Sequence, residues 1–275
     1  MSKNSPKSGL PSAWKLWRAA WKAFRDDWMS YVKILAVVAV PISIMGLFEG
    51  IRTSEQLFIA PVDPTVAAFA NFATIIMNVA LISAIIQSDK TGKVPGVSAS
   101  YYVGTAGLVR FLLVAVVLVP MLIPAAFGAA IYQASLSVTQ TSVSLPEQLL
   151  IGSVCLIIAL PSVWLIVRYG LAPIAAIDTG LPPVAALRYA RNLTLGRFWR
   201  TLARYALLAI FLFVLAIPIA IVTAVLSFLK LGPVPTIFFQ LATTFTALPL
   251  GNIYLLKLMH ALAEKPKVVI IDGSE

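Results

Sequence analysis

Residues 186–205 read ALRYARNLTLGRFWRTLARY and carry five arginines without one carboxylate. Guanidinium groups bind phosphate oxygens in a bidentate geometry, so such a segment can hold a lipid head group or a nucleic acid. Spacings of three residues within this arginine segment let neighbouring arginines share a helix face. The five are Arg188, Arg191, Arg197, Arg200 and Arg204. All five are therefore candidates for binding lipid phosphate or head groups.

Aromatic residues alternate with these arginines, as they do in proteins that bind single-stranded nucleic acid. Apolar stretches long enough to span a membrane flank the segment on both sides, however, and positive charge is what keeps such a connection on the cytoplasmic side. We expect no nucleic-acid partner. A basic collar that anchors head groups is the favoured interpretation, and a specific lipid-phosphate site is the alternative. Gly196 is predicted to separate two helical pieces.

A second basic set lies near the N-terminus, beside an aromatic stripe. The stripe recurs at intervals of three and four residues and comprises Trp14, Trp17, Trp21, Phe24, Trp28 and Tyr31. Basic residues follow one position later, about 100° around a helix: Lys15, Arg18, Lys22 and Arg25. Indole rings favour the head-group layer, where basic side chains meet anionic lipid. The pattern predicts an interfacial helix with Lys15, Arg18 and Lys22 as head-group ligands.

The composition indicates which solvent these residues face. Of 275 residues, 60% are hydrophobic and 12% charged, and the mean hydropathy is +0.92. A soluble domain carries roughly 25% charged residues. A bilayer is therefore the predicted solvent, and the net charge of +10 favours anionic phospholipid as partner. With a single cysteine and a single histidine, neither a disulfide, a structural metal nor another cofactor is expected. The polar, basic start does not resemble a cleaved signal peptide.

Six segments have the length and apolarity of a membrane span. They are residues 31–49, 64–87, 108–132, 147–168, 205–229 and 236–260. We predict an all-α integral membrane protein with six transmembrane helices in one domain, residues 11–263, between tails at 1–10 and 264–275. Interfacial amphipathic helices are expected on the cytoplasmic side, at about 12–29, 95–106 and 182–203.

The placement of basic residues predicts the orientation. Of the 21 Lys and Arg residues, only Arg52 and Lys230 fall in the first, third and fifth connections between spans. Positive residues accumulate on the cytoplasmic side of a membrane protein. We therefore expect a multi-pass protein of the plasma (inner) membrane with both termini in the cytoplasm.

Similar turns precede three of the predicted spans and suggest an internal repeat. Their prolines are Pro11, Pro95 and Pro182. The last two turns share the pattern P-x-V-x-A-x-x-Y, and each leads into a proline-containing span. Three parallel two-span repeats would explain this, related by an axis along the membrane normal. Chance similarity between apolar sequences is the open alternative.

Neutral polar residues within the spans form the next candidate site. Asn71, Thr74 and Asn78 step by three and four residues and share a face, and the sixth span carries Gln240 and Asn252. Such residues must contact protein, water or a polar ligand rather than acyl chains. Asn71, Asn78, Gln240 and Asn252 therefore either line a cavity or hydrogen-bond between helices.

Ionisable residues are rare in the predicted spans. Lys257 and His260 lie near the inner end of the last span, with Glu264 one turn further. An interfacial cluster is favoured over a proton relay. No nucleophile, base and stabiliser can be named together, so we expect no enzyme.

The segment around the arginines resembles a known family. RYGLAPIAAIDTGLPPVAALRYARNLTLGRFWRTLARYALL is similar to the membrane domain that precedes some bacterial glycerophosphodiester phosphodiesterase domains. The matching positions are Arg168, Pro173, Asp178, Ala186, Leu187, Leu193, Gly196, Phe198 and Trp199. Ala190 replaces a usual serine, and Asp178 a commoner glutamate. The resemblance implies a six-span domain and no catalytic residues, because the phosphodiesterase chemistry belongs to a separate soluble domain that we expect this chain to lack.

Two functions are consistent with these observations. The first is a non-enzymatic membrane protein that engages anionic phospholipid, supporting lipid handling or a membrane protein partner. The alternative is a transporter or permease component for a small or lipid-like solute.

Overall fold

The computed structural model describes residues 11–55, 64–138, 145–229 and 231–264. The predicted tails fall outside the described residues, except for Glu264. All regular structure in the described part of the chain is helical, and no strand occurs there. The α-helices are α1 (Ala13–Glu55), α2 (Pro64–Thr91), α3 (Val97–Leu118), α4 (Ile123–Val138), α5 (Leu145–Tyr169), α6 (Ala172–Asp178), α7 (Pro183–Thr194), α8 (Phe198–Phe228) and α9 (Val234–Ala263).

Six helical segments in the described ranges are long and apolar enough to cross a membrane. They are Ala13–Phe48, Thr65–Thr91, Val97–Ser135, Pro146–Asp178, Phe198–Phe228 and Val234–Ala263. Each of the six predicted spans overlaps one of them. The predicted all-α, six-span class is therefore confirmed.

Two compact units divide the described chain. The first contains the residues up to Ala106 and from Arg204 onward, and its centre is formed by α1, α2 and α9, which pack on one another. Small residues permit close contact: a Cβ on Gly104, near the start of α3, would lie 3.0 Å from the Ala80 Cα of α2. The Tyr101 hydroxyl donates a hydrogen bond to the Ile34 carbonyl (2.9 Å). The first turns of α3 are thereby held against α1 and α2.

The second unit, Gly107–Ala203, contains an antiparallel contact between α4 and α5. A short 3-10 turn, Val119–Leu122, separates α3 from α4. The Ala125 amide, in the first turn of α4, donates to the Ser162 hydroxyl (3.0 Å), which satisfies one of the donors left free at a helix start. Helix α7 packs on α6 and α5.

The predicted interfacial helices differ in how they join the spans. Asp27 has non-helical angles (φ −125°, ψ 18°), which kink α1 within the aromatic stripe, between Phe24 and Trp28. The segment predicted at 95–106 continues into α3 without a break. Gly196 adopts φ 71° between α7 and α8, so the predicted separation of two helical pieces is confirmed. A position at the membrane surface, the repeats and the single domain stay predictions.

Candidate lipid-binding groove

The first turns of α1, which carry most of the aromatic stripe, have one buried and one exposed side. Leu16, Ala20 and Phe24 are buried at four-residue spacing, as expected for one face of a helix. Trp14 and Trp21 are exposed, and Trp17 is half-buried. The first four turns of α1 are thus packed along one face and present indole rings beside it.

Helix α8 supplies the second wall. The Trp17 ring stacks on Phe211 with centroids 4.7 Å apart, and Trp14 lies 5.7 Å from the same ring. Beyond Phe211, the wall is continued one and two turns along α8 by Val214 and Pro218. Aromatic contacts of this kind hold two helices at a defined separation.

Between these walls lies a groove with a volume of about 820 Å³, here named the α1–α8 groove. Its α1 side presents Arg18, Lys22 and Arg25 beside the three tryptophans, and its α8 side is entirely apolar. The Arg18 guanidinium lies over the Trp14 ring, 5.0 Å from its centroid, in cation–π geometry. The groove therefore combines a cationic edge with an apolar interior in one continuous space.

Of the predicted head-group residues near the N-terminus, two line this groove. Arg18 and Lys22 are both in its lining, whereas Lys15 is exposed outside it. Arg25 is in the lining although the sequence did not single it out as a ligand. Its place one turn after Lys22 is the signal that could have identified it.

Arg204 has a structural contact in the first unit. Its guanidinium Nη2 donates to the Pro11 carbonyl (2.9 Å), and its own carbonyl accepts from the Tyr254 hydroxyl (3.2 Å). These bonds connect the residues before α1 to α8 and α9, and so help to keep the two walls of the groove together. A role for Arg204 in head-group binding stays a prediction.

The other four arginines of the segment lie in the second unit. Ala186, Ala190 and Thr194 form the buried stripe of α7, which leaves Arg188 and Arg191 exposed. Arg197 is half-buried before the start of α8, and Arg200 is exposed in its first turn. The segment thus presents positive charge at the surface of its unit, which suits a basic collar and a head-group site equally.

The polar residues predicted in the second and sixth spans are only partly brought together. The Asn252 Nδ2 group donates to Asn78 Oδ1 (3.0 Å), which joins α9 to α2. Gln240 lines a small cavity of about 60 Å³ together with Thr74, and Asn71 is exposed outside that lining. The Asn78–Asn252 bond matches the helix-packing interpretation, and a solute path lined by all four stays a prediction.

An acidic residue that sequence reasoning did not connect lies at the other end of α2. Asp89 approaches Lys257 (Nζ to Oδ1, 3.5 Å) and His260 (Nδ1 to Oδ2, 3.3 Å). Lys257 and His260 are therefore paired with a carboxylate from α2. The predicted participation of Glu264 in this cluster stays a prediction. Opposite charges near the C-terminal ends of α2 and α9 were the available signal in the sequence.

These helices define the chain as a polytopic α-helical membrane protein. In the comparisons with known proteins, no family model, no curated protein and no solved structure matches the chain. The resemblance of the arginine segment to the phosphodiesterase-associated membrane domain therefore stays a prediction.

Proposed function

We propose that this protein is a non-enzymatic module of the plasma membrane that engages anionic phospholipid in the α1–α8 groove. Both termini lie in the cytoplasm in this proposal, so that the cationic edge meets the inner leaflet. The observation that carries it is the combination of Arg18, Lys22 and Arg25 with an apolar space of about 820 Å³. An anionic phospholipid has the same two parts, a negative head and an apolar chain.

Charge complementarity supports an anionic lipid over a neutral one. Each Lys or Arg near an anionic membrane surface contributes about 1 kcal/mol. The tryptophans suit the head-group layer, because an indole combines a large apolar face with one N–H donor. The apolar wall of α8 then accompanies the first part of an acyl chain as far as Pro218. Such a site supports lipid handling or the docking of a membrane protein partner.

The arginine segment is the second element of the proposal. Arg188, Arg191 and Arg200 are exposed and carry charge that the same leaflet would attract. In this proposal they form a collar that retains lipid non-specifically, while the α1–α8 groove holds one lipid in a defined place. The two contributions can be separated by mutation.

Transport is the alternative, and packing along the α2–α9 contact argues against it. A solute path along the polar residues of α2 and α9 would have to pass the level of Leu81, Ile82 and Leu256, each at most 3% exposed. These side chains belong to the tightly packed centre of the first unit. Lipid engagement is therefore the better-supported function.

The test is native mass spectrometry of the protein extracted in polymer-bounded membrane discs. Arg18→Ala/Lys22→Ala should lose a bound anionic phospholipid, with affinity lower by roughly 30-fold for two charges at about 1 kcal/mol each. Lys33→Ala/Lys93→Ala removes the same charge from exposed residues outside the groove and should retain the lipid. Equal loss in both variants would show that only net charge matters.

A steric variant tests the groove without altering charge. Val214→Trp places a large side chain in the apolar wall and should displace the lipid. Val222→Trp, two turns further along α8 and also exposed, is its control because Val222 does not line the groove. The variant Arg188→Ala/Arg191→Ala/Arg197→Ala/Arg200→Ala should lower total co-extracted lipid and leave the tightly held molecule in place. Loss of that molecule from the fourfold variant alone would move the site to the arginine segment.

A further inference from the structure

Ser43 lies in the membrane-spanning part of α1 with its hydroxyl facing protein. The residue is 5% exposed, and its Oγ has no hydrogen-bond partner among the residues that the structure describes. A hydroxyl taken from water into an apolar surrounding is unfavourable unless it gains a new partner. The position therefore requires a polar neighbour.

A small cavity adjoins this hydroxyl. Its volume is about 60 Å³, and Ser43, Thr74, Gln240 and Thr244 contribute its polar lining from α1, α2 and α9. We name it the polar notch. One water needs roughly 10–15 Å³ and two to four polar partners, so the notch has room and partners for a small cluster. No charged side chain belongs to the lining, which favours a neutral ligand.

Hydrogen-bonding directions also suit water. The Thr74 hydroxyl donates to the Ala70 carbonyl (2.8 Å), so it faces the notch as an acceptor. The Ser43 hydroxyl and the Gln240 amide can each donate and accept. A molecule with two donors and two acceptors can connect these groups, whereas an acyl chain cannot.

Further along α2, the notch is followed by a second pair of polar side chains. Asn78 follows Thr74 by one helical turn, and its amide is bonded to Asn252. Beyond this pair, Leu81 and Ile82 are buried. Neither Asn78 nor Asn252 lines the notch, so the notch ends before this bonded pair.

We infer that the polar notch is a water-binding site within the membrane-spanning part of α1, α2 and α9, with Ser43 and Gln240 as its principal ligands. This goes beyond lipid engagement, because it concerns neutral residues distant from the cationic groove. It also explains why three helices that face a hydrocarbon layer bring uncharged polar side chains to one place.

Two serines in the first unit provide a matched test. Ser83 is 3% exposed, and its hydroxyl also has no partner in the described part of the chain, but Ser83 does not line the notch. Both are changed to cysteine, singly, in a Cys155→Ala background that removes the single native thiol. The purified protein in lipid discs is treated with methyl methanethiosulfonate, and intact mass spectrometry follows the modification.

The cysteine thiolate attacks the sulfenyl sulfur of the reagent, which gives a methyl disulfide and releases methanesulfinate. Because the thiolate forms in contact with water and is suppressed in apolar surroundings, Ser43→Cys should react at least about tenfold faster than Ser83→Cys. Thr244→Cys reports from the opposite wall and should also react fast, which keeps the test decisive if Ser43→Cys does not fold. Slow reaction at both Ser43→Cys and Thr244→Cys would mean that lipid or protein fills the notch and would overturn the inference. Equally fast reaction at Ser83→Cys would overturn it too, because the water would then not be specific to the notch.

Discussion

Helices α2 and α8 both qualify as membrane spans, yet they are the most and the least buried of the six. Within an apolar 18-residue stretch of each helix, 50% of the residues are buried in α2 and only 6% in α8. Of the two stretches, that of α8 is the more hydrophobic. Between these two helices the more hydrophobic one is the less buried, the reverse of what a water-soluble protein shows.

The physical reason lies in the solvent. Lipid chains are as apolar as leucine side chains, so apolar surface alone gives helices no reason to associate in a membrane. Helix α2 instead offers small residues such as Ala80 and a hydrogen-bonding amide at Asn78. Helix α8 offers large side chains such as Phe213 and Phe228, which are exposed where acyl chains would lie. Close approach and polar contacts decide which helices pack.

The largest effect is expected where backbones approach most closely in the first unit. Gly104→Leu forces a side chain onto the Ala80 Cα, which a Cβ alone would meet at 3.0 Å. Overpacking of this kind costs about 3 kcal/mol of the free energy of unfolding. Detergent-titrated unfolding in mixed micelles measures it.

Gly152→Leu is the control for that substitution. Gly152 lies within α5, and a Cβ there would have nothing within 4 Å. Since leucine has the higher helix propensity, Gly152→Leu should leave stability unchanged or raise it by up to about 1 kcal/mol. Comparable losses in both variants would show that the Gly104–Ala80 contact does not hold α3 to α2.

A smaller effect is expected at the amide pair. Asn252→Leu leaves the Asn78 amide without its partner and should lower the free energy of unfolding by about 1 kcal/mol. In the double variant Asn78→Leu/Asn252→Leu, much of the loss should be recovered, because both polar groups are gone. A double-mutant cycle is expected to give a coupling of about 0.6 kcal/mol. Strict additivity would argue against a direct bond.

This difference between helices explains how far the sequence predicts the fold. Length and hydropathy are local properties, so all six spans and the break at Gly196 could be predicted. Which helices pack against each other could not be predicted, because the apolar faces of the helices do not specify a partner. Asn78 and Asn252 were both recognisable as polar positions within spans, but no local pattern pairs two residues that lie 174 positions apart.

The candidate groove shows the same limit. The aromatic stripe and the basic residues Arg18 and Lys22 follow from helical spacing, which is visible in one segment. The opposing wall at Phe211 is one of many aromatic positions in apolar helices, and only the folded chain shows that it stacks on Trp17. The α1 wall of the groove was therefore predictable from the sequence, and the α8 wall was not.

The charged side chain of Asp89, near the C-terminal end of α2, should contribute less to the free energy of unfolding than the amide of Asn78. Asp89 and its partners Lys257 and His260 have side chains 26–38% exposed, so water screens their attraction. We expect Asp89→Asn to cost at most about 0.5 kcal/mol, decreasing further at high salt. The measurement is the same unfolding titration at two ionic strengths. A salt-independent loss above that of Asn252→Leu would make this cluster, rather than the amides, the main link between α2 and α9.

The smallest effect is expected on α8, although the change there removes the most apolar surface. Phe213 is 71% exposed, so its ring would contact acyl chains both in the folded protein and in helices that have separated within the membrane. No transfer from water occurs on folding, and Phe213→Ala should change the free energy of unfolding by less than about 0.3 kcal/mol. Leu81→Ala in α2 is the matched comparison, because Leu81 is fully buried and its truncation removes contacts with protein, at a cost of about 2 kcal/mol. If Phe213→Ala destabilised as much as Leu81→Ala, α8 would be packed on protein along this face, and its exposure could no longer be attributed to lipid.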